Sequence, residues 1–402
     1  MAKVFEGVRV IDFTQVIAGP YASYQLALQG ADVIKLENPK GGDQGRVMMG
    51  GGPEFLEAGQ STLFMSFNAG KRSLGLDLKH PRAKEVLTRL VAQSDVVVEN
   101  FKAGQMKKLG LDYETLSAIN PKLVYCSISG FGGTGPLAGK AAYDPVIQAY
   151  SGMMTLTGFP ENGPTKVGYW VTDVAAGIHA AYAISSALFA RERTGQGRYI
   201  DLSMLDAALG FISPMVLHYL NCGIQLGQMG NGSPASPSPS VYPTATNLIQ
   251  VATATQAQFE KMCGVLERPD IKDDPRFATR EVRAENGAAL YETLCKTYRT
   301  GDAHAWEARL EAVGVPAAVV NTIPEALQLE QVKHRGVLME VPPPAGLGKP
   351  MTMVNASFHL NEGSPGVETP PPHVGEHTDA VLGEFGFSAA DIAGLRAEAV
   401  IG

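Results

Sequence analysis

Asp173 is the carboxylate placed best for chemistry. It stands one residue before an apolar helix pattern that runs from residue 174 to about residue 193, with Gly195 as its stop. Backbone N–H groups at a helix start favour an ionised carboxylate. An anionic oxygen held there can cap the helix or act as a nucleophile. On position alone the cap is the ordinary role of such an aspartate, but Thr172 can also cap, which would leave Asp173 free for other work. A second set of residues is cationic. Lys71, Arg72 and Lys79 lie on or beside one strand end, and Lys102, Lys107 and Lys108 follow Asn100 and Phe101 after another. A single surface lysine is ordinarily just solvated. Clusters after successive strands suit a phosphate-bearing ligand, because phosphates take Lys, Arg and free N–H groups at turns.

The elements that must carry these residues alternate in type. Strand-like runs occur at residues 8–13, 32–37, 74–78, 95–98 and 123–127, and helix patterns at 21–29 and 81–94. Such alternation predicts an α/β fold, a parallel sheet with helices on both faces, in a Rossmann-like large domain. The turn at 13–21 (FTQVIAGPY) lacks the G-x-G-x-x-G of a dinucleotide site. The segment 130–140, GFGGTGPLAGK, fails as a phosphate loop on spacing and reads as a turn after a strand. Residues 226–243, rich in Gly, Ser and Pro, are expected to lack regular structure. The chain divides on this reading into a large domain (1–225), a linker (226–246), a small α/β domain (247–324), and a linker with C-terminal helices (325–402) that return to the large domain.

Composition narrows the function classes. The chain has 402 residues, 45% hydrophobic and 18% charged, as expected for globular domains with a sizeable core. A net charge of −7 argues against general nucleic-acid binding. Cys126, Cys222, Cys263 and Cys295 are widely spaced, with no CxxC pair and no zinc-type cluster, so no metal site is expected. The N-terminus enters a strand directly, and no uncharged apolar run reaches the length of a membrane span. A cytoplasmic enzyme is the expectation.

Five separated segments together carry a resemblance. They are DFTQVIAGPYAS (12–23), GKRSLGLDLK (70–79), VENFKAGQMKKLG (98–110), AAYDPVIQAYSG (141–152), and the block in which V-G-x-x-x-x-D ends at Asp173 and leads to RERTGQG. This pattern resembles the family III CoA-transferases, whose close relatives include α-methylacyl-CoA racemases. The resemblance spans essentially the whole chain. It implies that Asp173 is the catalytic nucleophile, and that two subunits interlock as a homodimer. It further implies CoA contacts at Ile17, Ala18, Asn38, Leu76, Asp77, Leu78, Lys79, Asn100, Phe101, Lys102, Lys108, Ala141, Ala142, Tyr143 and Asp144, to which the cationic clustering adds Lys71 and Arg72. Gly230, Asn231 and Gly232 match the family's mobile glycine loop and could form a lid or equally a plain linker turn. CoA would be a substrate, with no permanently bound cofactor.

The expected reaction is reversible CoA transfer from an acyl-CoA to a free carboxylic acid, through an aspartyl anhydride and an aspartyl-CoA thioester. Ile17 stands where the formyl/oxalate enzymes carry glutamine, which argues against oxalate as acceptor. Asn38 stands where they carry arginine. Ile17, Tyr150, Met153, Met154 and Trp170 could form an apolar acyl pocket or could equally be core. Racemisation is the alternative, but Tyr143 occupies the position of the racemase histidine and is a poor base at neutral pH. His179, within the apolar helix, is expected to be a buried core histidine. A catalytically silent acyl-CoA-binding protein of the same fold would keep the lysines without needing Asp173.

Overall fold

The computed structural model describes residues 3–50, 52–233, 241–348, 350–361 and 363–402. Two compact units are present. The first comprises Met1–Met153, Val167–Ile224 and Gln331–Gly402, and the second Met154–Lys166 and Gln225–Glu330. The second unit therefore takes up a segment, 154–166, that the sequence reading assigned to the large domain.

The first unit is built on six parallel strands: β1 (Arg9–Asp12), β2 (Asp32–Glu37), β3 (Arg72–Gly75), β4 (Val96–Glu99), β5 (Val124–Ser129) and β6 (Arg198–Ser203), in the order β3-β2-β1-β4-β5-β6. That is the doubly wound Rossmann order, with its reversal point between β1 and β4. Alternate side chains of these strands serve two cores. Val10, Val33, Val96, Val98 and Val124 face one, and Ile11, Ile34, Leu74, Val97 and Tyr125 face the other. Both faces are buried, which is why the strands read as continuous apolar runs.

The first core is closed by α1 (Ala18–Leu28) and by α3 (Val171–Thr194), which follows the short α2 (Asp144–Tyr150). Where α1 and α3 cross, a Cβ on Gly177 would come within 2.8 Å of the Ala18 carbonyl oxygen and 2.9 Å of the Tyr21 ring. Only glycine permits this approach. By length and composition α3 is apolar enough to cross a membrane, although its uncharged run, residues 174–190, is shorter than a span. Its Ala and Gly face, including Ala176, Ala180 and Ala187, packs into the first core. The other face is exposed, with Ile178, Tyr182 and Phe189 at 50%, 72% and 62%. The expectation of a buried core histidine is corrected by this exposed stripe: His179 lies on the exposed side, with Nδ1 2.8 Å from the Ala175 carbonyl oxygen.

The second unit carries a three-stranded antiparallel sheet: β7 (Val241–Pro243), β8 (Leu248–Val251) and β9 (Ala317–Val319), ordered β7-β8-β9. Helices Gln256–Val265, Gly287–Tyr298 and Ala303–Glu311 supply its core, with Phe259, Leu290, Leu294, Tyr298 and Trp306 among the buried residues. The Gly/Ser/Pro stretch thus ends in a strand that the sequence reading did not foresee. Its portion 234–240 lies outside the described residues.

Candidate active site

A cleft of about 320 Å³ opens in the first unit. Its lining comes from the turns that follow β1, β4 and β5, which end at the reversal point of the sheet where α/β folds bind ligands. Ile17, Ala18, Asn100, Phe101, Lys102, Ala141, Ala142, Tyr143 and Asp173 all line it, joined by Gln15, Val16, Gln44 and Lys140. Nine of the sequence candidates are therefore brought together in one concavity.

Each wall is fixed by identifiable bonds. Asn100 clasps the turn after β1 with two amide-type bonds, its Oδ1 accepting from Gln15 N–H and its Nδ2 donating to the Gln15 carbonyl, both 2.8 Å. Glu99, buried at the end of β4, accepts the Phe101 N–H at 2.7 Å and so shapes the 100–102 turn. Burial pushes the Glu99 carboxyl up to about 7, against the pull of hydrogen bonds from Ser127 and the Phe101 N–H. Asp144, at the first position of α2, is buried. Its Oδ1 accepts from Thr172 N–H and from Thr172 Oγ1, both 2.8 Å, and its Oδ2 accepts from Gln148 Nε2 at 2.7 Å. Asp144 thereby ties α2 to the first turn of α3 and stands behind the site rather than in its lining.

Asp173 is the third residue of α3, whose N-cap is Trp170 without a capping side chain. The helix starts three residues earlier than the apolar pattern suggested, so Asp173 caps nothing. Its carboxylate has no hydrogen bond or ion pair among the described residues. The expectation that the helix end keeps it readily ionised is corrected. Burial, and next the nearby Asp144 carboxylate, push Asp173 up to about 7. Desolvation disfavours the charged form, and an unscreened like charge does so further. A carboxylate that ionises only near neutrality, unpaired and facing a cleft, is poised for nucleophilic or proton-transfer work.

The remaining candidates lie outside the cleft lining. Lys71 is corrected outright as a phosphate ligand. It is 2% exposed, and its ammonium donates to Asp12 Oδ2 (3.0 Å), Ser23 Oγ (2.8 Å), Asn68 Oδ1 (2.9 Å) and the Pro20 carbonyl (3.1 Å). Arg72 is likewise committed, to Asp32 at 2.6 Å and Glu384 at 2.7 Å. Leu76 is buried and bridged to Ile401, while Asp77 N–H donates to the Val400 carbonyl. Asn38, Lys79 and Lys108 are exposed, and Leu78 is half-buried, away from the lining. Gly230, Asn231 and Gly232 belong to the second unit, where Gly230 N–H donates to the Gly158 carbonyl (2.9 Å) and Gly232 N–H to the Met229 carbonyl (2.8 Å). Lys140 was missed. The failed phosphate-loop spacing drew attention away from it, yet it lines the cleft with its ammonium 4.8 Å from the centre of the Tyr150 ring.

Asp144 gives a prediction about pH. Asp144→Asn removes a like charge while keeping an oxygen for the Thr172 N–H. Activity that requires ionised Asp173 should then rise with pH about one unit earlier than in the wild type. An unmoved acid limb in the pH–rate profile would mean that Asp144 does not tune Asp173.

A doubly wound sheet with a switch-point cleft that holds a desolvated carboxylate is an arrangement suited to group transfer. The sequence profile described as CoA-transferase family III matches residues 5–378. The chain belongs to that family. It is 37% identical over 384 residues to the succinate–glutarate CoA-transferase of Agrobacterium fabrum, covering 94% of this chain and 95% of that protein. The human succinyl-CoA:glutarate CoA-transferase is 33% identical, over 95% of this chain and 86% of its own length. A crystal structure of a CAIB/BAIF family protein from Brucella suis superposes with a TM-score of 0.85 at 35% identity, covering 96% of this chain and all of that one.

Proposed function

We propose that the protein moves CoA reversibly from an acyl-CoA to a free carboxylic acid, with Asp173 as the covalent nucleophile. The observation that carries this is the unpaired Asp173 carboxylate in the cleft, raised to about 7 by burial and by Asp144. Asp173 attacks the donor thioester carbonyl, the C–S bond breaks, and a mixed anhydride and CoA thiolate result. The thiolate attacks the aspartyl carbonyl carbon, giving an aspartyl-CoA thioester and freeing the donor acid. The acceptor carboxylate attacks that thioester and expels the thiolate. The thiolate then takes the acceptor acyl group from the second anhydride and regenerates Asp173. Covalent catalysis splits one difficult exchange into easier steps. A carboxylate stripped of water is a stronger nucleophile than one in bulk solvent, and a site that excludes water protects the acyl intermediates from hydrolysis.

The names of the relatives make succinyl-CoA with glutarate the first pair to test. Protein incubated with succinyl-CoA is treated with hydroxylamine or borohydride, and the peptide holding Asp173 is weighed. A mass change confined to that peptide is expected. Glutaryl-CoA formed without any adduct at Asp173 would overturn the mechanism. Racemisation would show as Cα–H exchange with deuterated solvent in the absence of an acceptor. Among the described residues no histidine lines the cleft to support it, and Tyr143, 66% exposed, stands there instead.

Lys102 and Lys140 are the cations of the lining, and CoA phosphates are their expected partners. Lys102→Ala and Lys140→Ala should each raise the KM for acyl-CoA about 5- to 20-fold with little change in kcat, because an exposed charge-assisted contact contributes roughly 1–2 kcal/mol. A steady-state comparison at fixed acceptor checks this. The proposal extends to a homodimer. The exposed stripe of Ile178, Tyr182 and Phe189, with Phe211, Leu217 and Leu220 also exposed, offers apolar surface of the kind a second copy covers. Light scattering on the purified chain reads the mass directly.

A further inference from the structure

Val16 lies in the cleft lining with φ at +70°. That left-handed region is strained for any β-branched residue, so something must hold it there. Its N–H donates to Asp43 Oδ1 at 2.9 Å, and the same oxygen accepts Gly45 N–H at 2.8 Å. Asp43 is 2% exposed. Its Oδ2 pairs with Lys35 Nζ at 2.8 Å, and that ammonium also donates to the Thr14 carbonyl at 2.7 Å. Asp43 N–H is fixed in turn by Glu37 Oε1 at 2.9 Å. The pair therefore grips the turn after β1 twice, at Thr14 and at Val16, from behind the cleft wall.

We infer that Asp43, backed by Lys35, is a positioning residue for the transfer reaction: it holds Val16 left-handed and so sets where Ile17 and Ala18, at the start of α1, face Asp173 across the cleft. The inference rests on Asp173 chemistry as proposed above. Asp43 touches no reacting atom. Its effect passes through the backbone of residues 14–18, whose N–H groups at Thr14, Gln15 and Val16 are all engaged, by Asp12, Asn100 and Asp43. A displacement of about 1 Å in such a wall is enough to lower a rate about 100-fold.

Removing Asp43 alone would strand the buried Lys35 charge, so the test uses paired variants. Asp43→Asn with Lys35→Met removes both charges and keeps an acceptor oxygen for Val16. Asp43→Ala with Lys35→Met removes the oxygen as well. Val16→Gly is then added to the second pair, since glycine takes the left-handed conformation unaided. Single-turnover loading of Asp173 by succinyl-CoA is measured for each, with the KM for succinyl-CoA and the thermal midpoint. Loading within about fivefold of wild type is expected for the asparagine pair, and a loss of about 100-fold with KM changed less than threefold for the alanine pair. Recovery of at least tenfold is expected on adding Val16→Gly. An alanine pair that loads at the wild-type rate overturns the inference. So does a loss that Val16→Gly fails to recover while the thermal midpoint follows the rate, because that describes a purely structural pair. Wild-type protein that loads nothing at Asp173 would instead sink the proposed function itself, and with it this inference.

Discussion

With Asp173 as the proposed nucleophile, Asp173→Ala should abolish transfer, lowering kcat at least about 10⁴-fold, while acyl-CoA binding is kept or tightened. Loss of a covalent nucleophile removes the pathway rather than a single interaction, so its effect is larger than that of any neighbour. The fold should tolerate the change, because no hydrogen bond or ion pair of the described residues ends on this carboxylate. Stability should in fact rise near neutral pH. The folded state holds Asp173 up at about 7, well above the ordinary carboxylate value, so between those two values it binds more protons than the unfolded chain. The wild type therefore loses stability as pH rises through that window, and the full cost is present above pH 7. The shift corresponds to a ceiling of roughly 4 kcal/mol. The cleft is open to water, so about 1–2 kcal/mol is the expected gain for Asp173→Ala at pH 8, with almost none at pH 4. Urea melts at the two pH values measure it. Residual transfer above 1% of wild type would mean that another group carries the acyl or CoA moiety.

Lys71→Met should cost about 3–5 kcal/mol of stability, the largest such effect of any site residue considered, without a selective loss of CoA affinity in whatever folds. Burial pushes the ammonium down to about 8, and Asp12 opposes that shift. Burial would by itself raise Asp12, but Lys71, Lys35, Thr14 and Ser23 bring it down to about 2. Both groups are thus charged at pH 7, fully enclosed, and removal of one strands the other. Asp12→Asn combined with Lys71→Met should recover most of the loss, since the cost lies in the uncompensated charge. Chemical unfolding of the single and double variants decides it. Unchanged stability together with a raised KM for acyl-CoA would return Lys71 to the phosphate site.

Lys71 also marks where the sequence stops being legible. Strand alternation disclosed the sheet, and five motifs in order disclosed the family and singled out Asp173, which the structure places in the cleft lining. Yet Lys71, Arg72 and Lys79 look alike in a linear reading. Only packing shows that the first is caged, the second paired and the third exposed, because each fate depends on partners as distant as Asp12 and Glu384. The ionisation of Asp173 failed to show for the same reason. The local rule for a helix start favours the anion, but burial and Asp144, 29 positions earlier, win. The left-handed Val16 had no signal at all, since no residue pattern announces a valine held there by Asp43. Lys140 did have one, its position after a glycine-rich turn at a strand end, obscured by comparison with the wrong phosphate motif.

The crossing of α1 and α3 at Gly177 has a consequence for anyone who would engineer this protein. Alanine in place of a mid-helix glycine ordinarily adds up to about 1 kcal/mol, and a stability screen would put Gly177 high among its targets. Here the added methyl would meet the Ala18 carbonyl oxygen and act as a wedge between the helix that carries Asp173 and the helix that opens the opposite wall. The missing methyl works as a spacer gauge: the helix gives up some intrinsic stability, and the gap between the two helices keeps its width.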